Sequence, residues 1–135
     1  MIENTLIKTP PPDGSFVTPI IFHIQSFYKE IYIIGSKLPK RDKLGLHAVV
    51  EKICIKILTL SIKASLENKG SKQRTLQQLR INIETLKRLI RAELELKIIK
   101  ENSYLLVQEK LQEISKEAVG WEKYAHKSSP QRELL

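Results

Sequence analysis

The sequence predicts an all-α fold, an antiparallel up-and-down four-helix bundle, and three observations carry that prediction. Between Leu46 and Val119 there is no proline and a single glycine, Gly70. A stretch that long with one breaker reads as long helices, not as short strands divided by turns. Apolar residues recur in it at steps of three and four, the spacing of one face of an α-helix. They make up 41% of the 135 residues, enough to build a core and more than a disordered chain holds.

Residues 1–19 are Pro-rich and non-periodic. The run Pro10-Pro11-Pro12-Asp13-Gly14 can form only extended or turn structure, so this segment reads as an N-terminal arm. The bundle is expected over residues 20–126, with a polar tail over 127–135. A first helix follows Thr18-Pro19 and runs to about Lys37, with Ile24, Phe27, Ile31 and Ile34 on one face. Leu38-Pro39-Lys40-Arg41-Asp42 reads as a loop. A second helix starts near Asp42 or Lys43 and ends near Asn68. Gly70 is the expected stop and Ser71 the expected cap of a third helix over roughly Lys72 to Lys100. After a short break at Glu101-Asn102-Ser103, a fourth helix reaches about Tyr124.

The fourth helix carries one seam: Tyr104, Val107, Leu111, Ile114, Ala118 and Trp121. The two middle helices carry more than one. On the second, Leu46, Val50, Ile53, Ile57, Leu60 and Ala64 form the main stripe, and Ile55, Leu58, Ile62 and Leu66 lie on another face. On the third, Leu76, Leu79, Ile83, Leu86, Ile90 and Leu94 form the main stripe, with Ile81, Leu89, Ala92, Leu96 and Ile99 roughly opposite. A bundle subunit needs one apolar face per helix. The surplus stripes are therefore expected at a self-association interface, formed by Ile55, Leu58, Ile62, Leu66, Ile81, Leu89, Leu96 and Ile99.

The formal charge of +8 is unevenly spread. Residues 1–38 are neutral, 39–70 carry +4, 71–100 carry +5 and 101–135 carry −1. The excess thus sits on the middle helices and the loop leading into them. Lys52, Lys56 and Lys63 share a face of the second helix, and Lys40, Arg41 and Lys43 stand at its entrance. Arg80, Lys87 and Arg91 share a face of the third, with Arg88 beside them. These ten side chains form the expected contact surface for a phosphate backbone or another partner. Glu51, Glu84 and Glu93 interrupt the stripes and could pair with neighbouring cations. Aromatic residues are sparse at 6%, which argues against a base-stacking platform.

No catalytic constellation is found. His23, His47 and His126 are far apart, without a helical ligand pair, and His47 reads as a surface or nucleic-acid contact. Glu30, Glu51, Glu84 and Glu109 come one from each helix, yet the Glu-x-x-His pattern of a di-iron bundle is missing. Cys54, the one cysteine, reads as a small buried hydrophobe and fits a reducing cytosol. Trp121 reads as a core or interface anchor. No apolar run approaches the roughly 18 residues of a membrane span. Met1-Ile2-Glu3-Asn4 opens no signal peptide. The expectation is a cytoplasmic protein, not an enzyme, with no metal, no cofactor, no membrane and no small-molecule substrate.

The order of local features resembles the accessory variability protein family of diversity-generating retroelements. Leu38-Pro39-Lys40-Arg41, then Leu44-Gly45, then a long helix ending near Ala64 is similar to that family's opening. Leu86-Lys87-Arg88-Leu89-Ile90-Arg91-Ala92 is similar to its Leu-Arg-x-Leu-x-Arg pattern. Tyr104, Glu113-Ile114 and Val119-Gly120-Trp121 resemble its last helix, which usually ends in Gly-Gly-Trp. Leu46-His47 stands where an Arg is common, and the N-terminal arm has no counterpart. The resemblance covers residues 26 to 125. It implies four-helix bundles assembled as a homopentameric barrel with a basic surface. It further implies binding of nucleic acid (template RNA or cDNA) and association with the retroelement reverse transcriptase, in support of mutagenic cDNA synthesis. Two alternatives are an RNA-binding four-helix bundle of the kind encoded by intervening sequences in 23S ribosomal RNA genes, and a protein-interaction module with no nucleic-acid role.

Overall fold

The computed structural model describes residues 17–127. The proposed arm and tail therefore lie almost wholly outside the described residues. Among the described residues five helices follow in order: α1 (Val17–Ser36), α2 (Lys40–Leu44), α3 (Leu46–Leu66), α4 (Lys69–Glu95) and α5 (Glu101–Lys127). The four long ones form the bundle, α1 packing on α3, α3 on α4, α4 on α5, and α5 back on α1. Sequence neighbours joined by short turns are thus neighbours in space, the up-and-down arrangement.

Three boundaries differ from the sequence expectation, each for a local reason. Lys40–Leu44 is a short helix, not a loop, and it is parted from α3 by Gly45. A Cβ at Gly45 would lie 2.7 Å from the carbonyl oxygen of Arg41, so no other residue fits that bend. At the start of α4 the cap is Asn68, not Ser71. Its Oδ1 accepts from the backbone N–H of Gly70 at 3.0 Å and of Ser71 at 3.2 Å, which places Gly70 inside the first turn. Finally, α4 ends at Glu95 instead of continuing to Lys100, and the break lies before Glu101-Asn102-Ser103, which are not the break but the first turn of α5. The Ile98 N–H donates to the Glu93 carbonyl at 2.8 Å and the Lys97 N–H to that of Leu94 at 2.9 Å. This is the paired closure of a Schellman turn, with Lys97 in the left-handed region at φ 62°. A lysine in the position usually given to glycine explains why the stop was not visible in the sequence.

The core takes Ile20, Ile24, Phe27 and Ile31 from α1, and Val50, Cys54, Ile57, Leu60 and Ala64 from α3. From α4 it takes Leu76, Leu79, Ile83, Leu86 and Ile90, and from α5 Val107, Leu111, Ile114, Ala118 and Trp121. Cys54 is fully buried, and burial pushes its thiol pKa far up, with Glu51 and Glu93 adding to the shift. The thiolate is thereby disfavoured.

One polar pair sits inside this core and corrects the reading of two residues. His47 is not a surface contact but 0% exposed, and Glu93, 1% exposed, pairs with it and not with a neighbouring cation. His47 Nδ1 lies 2.7 Å from Glu93 Oε2 on α4, and Nε2 lies 2.8 Å from the backbone carbonyl of Ile31 on α1. A carbonyl only accepts, so Nε2 donates to it, and Nδ1 facing the carboxylate favours a second ring proton. Burial alone lowers the His47 pKa. The hydrogen bonds to Glu93 and Ile31 and the charges of Glu93 and Glu51 outweigh it, and the net shift is upward. Gly35 is what lets α1 come this close: a Cβ there would stand 2.7 Å from His47 Cδ2 and 3.0 Å from Glu51 Oε2.

Two predictions follow from these features. Lys97→Gly relieves the left-handed strain and raises stability by about 0.5–1 kcal/mol, read by urea unfolding; a loss would refute the turn as drawn. For His47 the folded pKa lies above the unfolded reference of about 6.5. Its contribution is therefore complete below that pH and is lost as pH rises through the folded value. Unfolding free energy between pH 6 and 9 should fall with rising pH in the native chain. In Glu93→Gln it should lose most of that slope and start about 2 kcal/mol lower.

Candidate nucleic-acid interface

The ten cations expected to contact a partner fall into two groups once their surroundings are compared. On α3, Lys52, Lys56 and Lys63 are all exposed. Steps of four and seven residues put them on one face, turned away from Val50, Ile57 and Ala64. Lys52 and Lys63 are about 16 Å apart along the axis, the length of roughly five phosphate steps of one strand. On α2, Lys40, Arg41 and Lys43 are exposed as well, held at the head of α3 by Pro39 and the Gly45 bend. Among the described residues none of these six forms an ion pair.

The cations of α4 are differently placed. Arg80 Nη1 lies 2.6 Å from Glu122 Oε1 on α5. Lys87 Nζ donates to Glu84 Oε2 at 2.9 Å and to Ser115 Oγ of α5 at 3.2 Å. Arg91 Nε donates to Glu95 Oε2 at 3.2 Å, and its guanidinium lies 5.8 Å from the centre of the Tyr104 ring on α5. The hydrogen bonds Arg91 donates to Tyr104 and Glu95 raise its pKa. Arg88 alone of the four is exposed without an ion pair. Three of the four expected α4 cations thus brace the α4–α5 contact. Of the ten expected cations, those without an ion pair among the described residues are the six of α2 and α3 and Arg88; Lys69, Lys72 and Arg74 at the start of α4, outside that set, form none either. Each of the three α4 pairs has at least one side chain open to water, where solvent screens the attraction, so they orient the side chains more than they hold the bundle.

The surplus apolar residues also separate. Ile55, Leu58 and Ile62 stand at helical spacing from Glu51, which abuts Gly35, so this stripe runs along the α1 side of α3. Ile81 instead borders a groove with Gln77, Arg80, Thr85 and Glu122, on the α5 side of α4. Ile55, Ile62, Leu66, Ile81 and Leu96 are exposed. Leu58 and Leu89 are half-buried against the core, and Ile99 lies within it at 6% exposure. Sequence reading did not include Tyr32 and Ile33 of α1 or Leu105 and Leu106 of α5, which are exposed too. Their spacing from the core positions of the same helices was the available signal.

Among the described residues there is no group of three or more His, Cys, Asp or Glu placed to hold a metal ion, and no helix long and apolar enough to cross a membrane. No curated protein and no solved structure matches the chain. A family profile, described as bAvd-like, matches residues 20–125. That span runs from the first core residue of α1 into the last turn of α5, so it takes in both basic groups and the buried His47–Glu93 pair. The chain belongs to the bAvd-like family.

Proposed function

We propose that this protein is a non-catalytic accessory subunit of a diversity-generating retroelement, acting in the cytoplasm as a homopentameric ring. It holds template RNA or cDNA by the phosphate backbone and associates with the reverse transcriptase during mutagenic cDNA synthesis. The observation that carries the reading is the unpaired cation row of α2 and α3, in a chain of this family. Lys40, Arg41, Lys43, Lys52, Lys56 and Lys63 keep their charge available, and neutralising a phosphate with each releases condensed counterions. The side chains of α4 contribute through Arg88 first, and through Arg80, Lys87 and Arg91 only where phosphate displaces a carboxylate. No base is read in this scheme; backbone contacts position the strand and the polymerase supplies the chemistry.

Two distinct apolar patches support the ring. A cyclic assembly closes through a heterologous interface, which needs two different surfaces on each subunit. The α1 side of α3, with Ile55 and Ile62, and the α5 side of α4, with Ile81, are two such surfaces. Five copies would carry about +40 in total, and a polyanion partner is then the expected default.

The test is a salt titration of RNA binding by the full chain, alongside light scattering. Affinity should fall steeply with salt, and Lys52→Glu with Lys56→Glu and Lys63→Glu should weaken it and reduce the log–log slope by about two. A flat salt response, or a triple variant that binds as the native chain does, refutes the nucleic-acid role. A scattering mass of 15.6 kDa refutes the ring; five times that value is expected.

A further inference from the structure

One end of the bundle carries a surface that the phosphate-binding scheme does not use. The end of α1, the turn into α2 and the α4–α5 turn enclose a groove of about 440 Å³, floored by Ile33, Ile34, Leu38, Pro39, Ile98 and Leu106. Ile33 is 50% exposed and Leu106 46%. Lys37 and Lys100 stand on its rim, and Lys40 and Lys97 are chain neighbours of Pro39 and Ile98. Among the described residues none of the four lysines forms an ion pair. One carboxylate, Glu30, lines the groove with Lys37 and Lys100, leaving its lining at +1.

We infer that this groove is a docking site for an acidic, leucine-bearing segment of a partner protein, separate from the nucleic-acid face. An apolar floor gains free energy only by losing water to another apolar surface. A phosphate backbone has none to offer, and no aromatic ring lines the groove on which a base could stack. A floor of aliphatic side chains under a cationic rim is complementary to an amphipathic segment whose apolar residues point inward and whose carboxylates meet the lysines. The floor supplies affinity and the rim supplies orientation and on-rate. The site does not depend on the nucleic-acid reading, because it shares only Lys40 with that face.

The experiment uses a fluorescein-labelled 14-residue peptide with leucine at helical spacing and glutamate elsewhere, titrated with the full chain and read by anisotropy. Binding is expected to weaken roughly tenfold in Ile33→Asp and in Leu106→Asp, each through loss of a buried apolar contact and repulsion of the incoming carboxylates. The same peptide with serine for leucine should not bind. Lys52→Glu with Lys56→Glu and Lys63→Glu should leave the peptide affinity within about twofold, and Lys37→Glu with Lys100→Glu should reduce it without touching the floor. Absence of peptide binding, equal binding of the serine peptide, or indifference to both the floor and the rim variants overturns the inference. A drop in assembly mass in Ile33→Asp or Leu106→Asp also overturns it, since the occupant would then be a second copy of the chain.

Discussion

An imidazole with no access to water must find a hydrogen-bond partner for each ring nitrogen, and His47 finds its two on different helices. Glu93 of α4 and the Ile31 carbonyl of α1 lie 2.7 and 2.8 Å from its nitrogens. Because the ring belongs to α3, three of the four long helices meet at one polar point inside an otherwise apolar core. An ion pair that deep gains little over a well-packed apolar pair of the same volume, since both charges lose their hydration. What it does impose is register. Sliding α4 by one residue would strand a buried carboxylate, and sliding α1 would take the carbonyl out of reach. Apolar side chains slide past one another at far lower cost.

The same point governs the neighbourhood. Gly35 must lack a side chain so that α1 can sit over the ring, and α2 hangs from the bend two residues before it. The basic entrance of Lys40, Arg41 and Lys43 is therefore placed by a buried interaction, not by the loop sequence that carries it. The groove at this end of the bundle has the same dependence. Its walls are the end of α1 and the α4–α5 turn, and the turn begins where Glu93 accepts the closing hydrogen bond of Ile98. Glu93 thus pairs through its side chain and terminates a helix through its carbonyl.

Much of this is legible in the residues, and part of it is legible only by register and not by residue type. The stripes Leu79-Ile83-Leu86-Ile90 on α4 and Val107-Leu111-Ile114-Ala118-Trp121 on α5 are core positions, as their spacing implied. Continuing the α4 stripe by three leads to Glu93, and stepping back three from Val50 leads to His47, so both polar residues occupied core positions all along. Read by residue type, they went to the surface; read by register, they belong inside. On α3 the preference for the larger side chain shifted the stripe toward Leu46 and Ile53. Both are only half-buried, whereas Val50, Ile57, Leu60 and Ala64 of that stripe lie in the core beside Cys54, and Ser61, a polar residue at a core position, is buried with them. The left-handed Lys97 left no mark, because its conformation is set by the hydrogen bonds around it and not by its own preference.

The division of the cations follows from composition once the helices are ordered in space. The α5 segment holds the acidic balance of the chain and packs against α4, so Glu122 draws in Arg80 while Ser115 and Tyr104 engage Lys87 and Arg91. On α3 the helix is flanked by α1 and α4, and Glu51, its one carboxylate, is turned toward His47 and Gly35. No carboxylate is left on the Lys52–Lys63 face to pair with those lysines. The segment counts, +4 and +5, make the two middle helices look equivalent. Neighbouring charge separates them: between Arg80 and Arg91 of α4, three of the four cations are committed within the subunit, and on α3 they remain available to whatever approaches from outside.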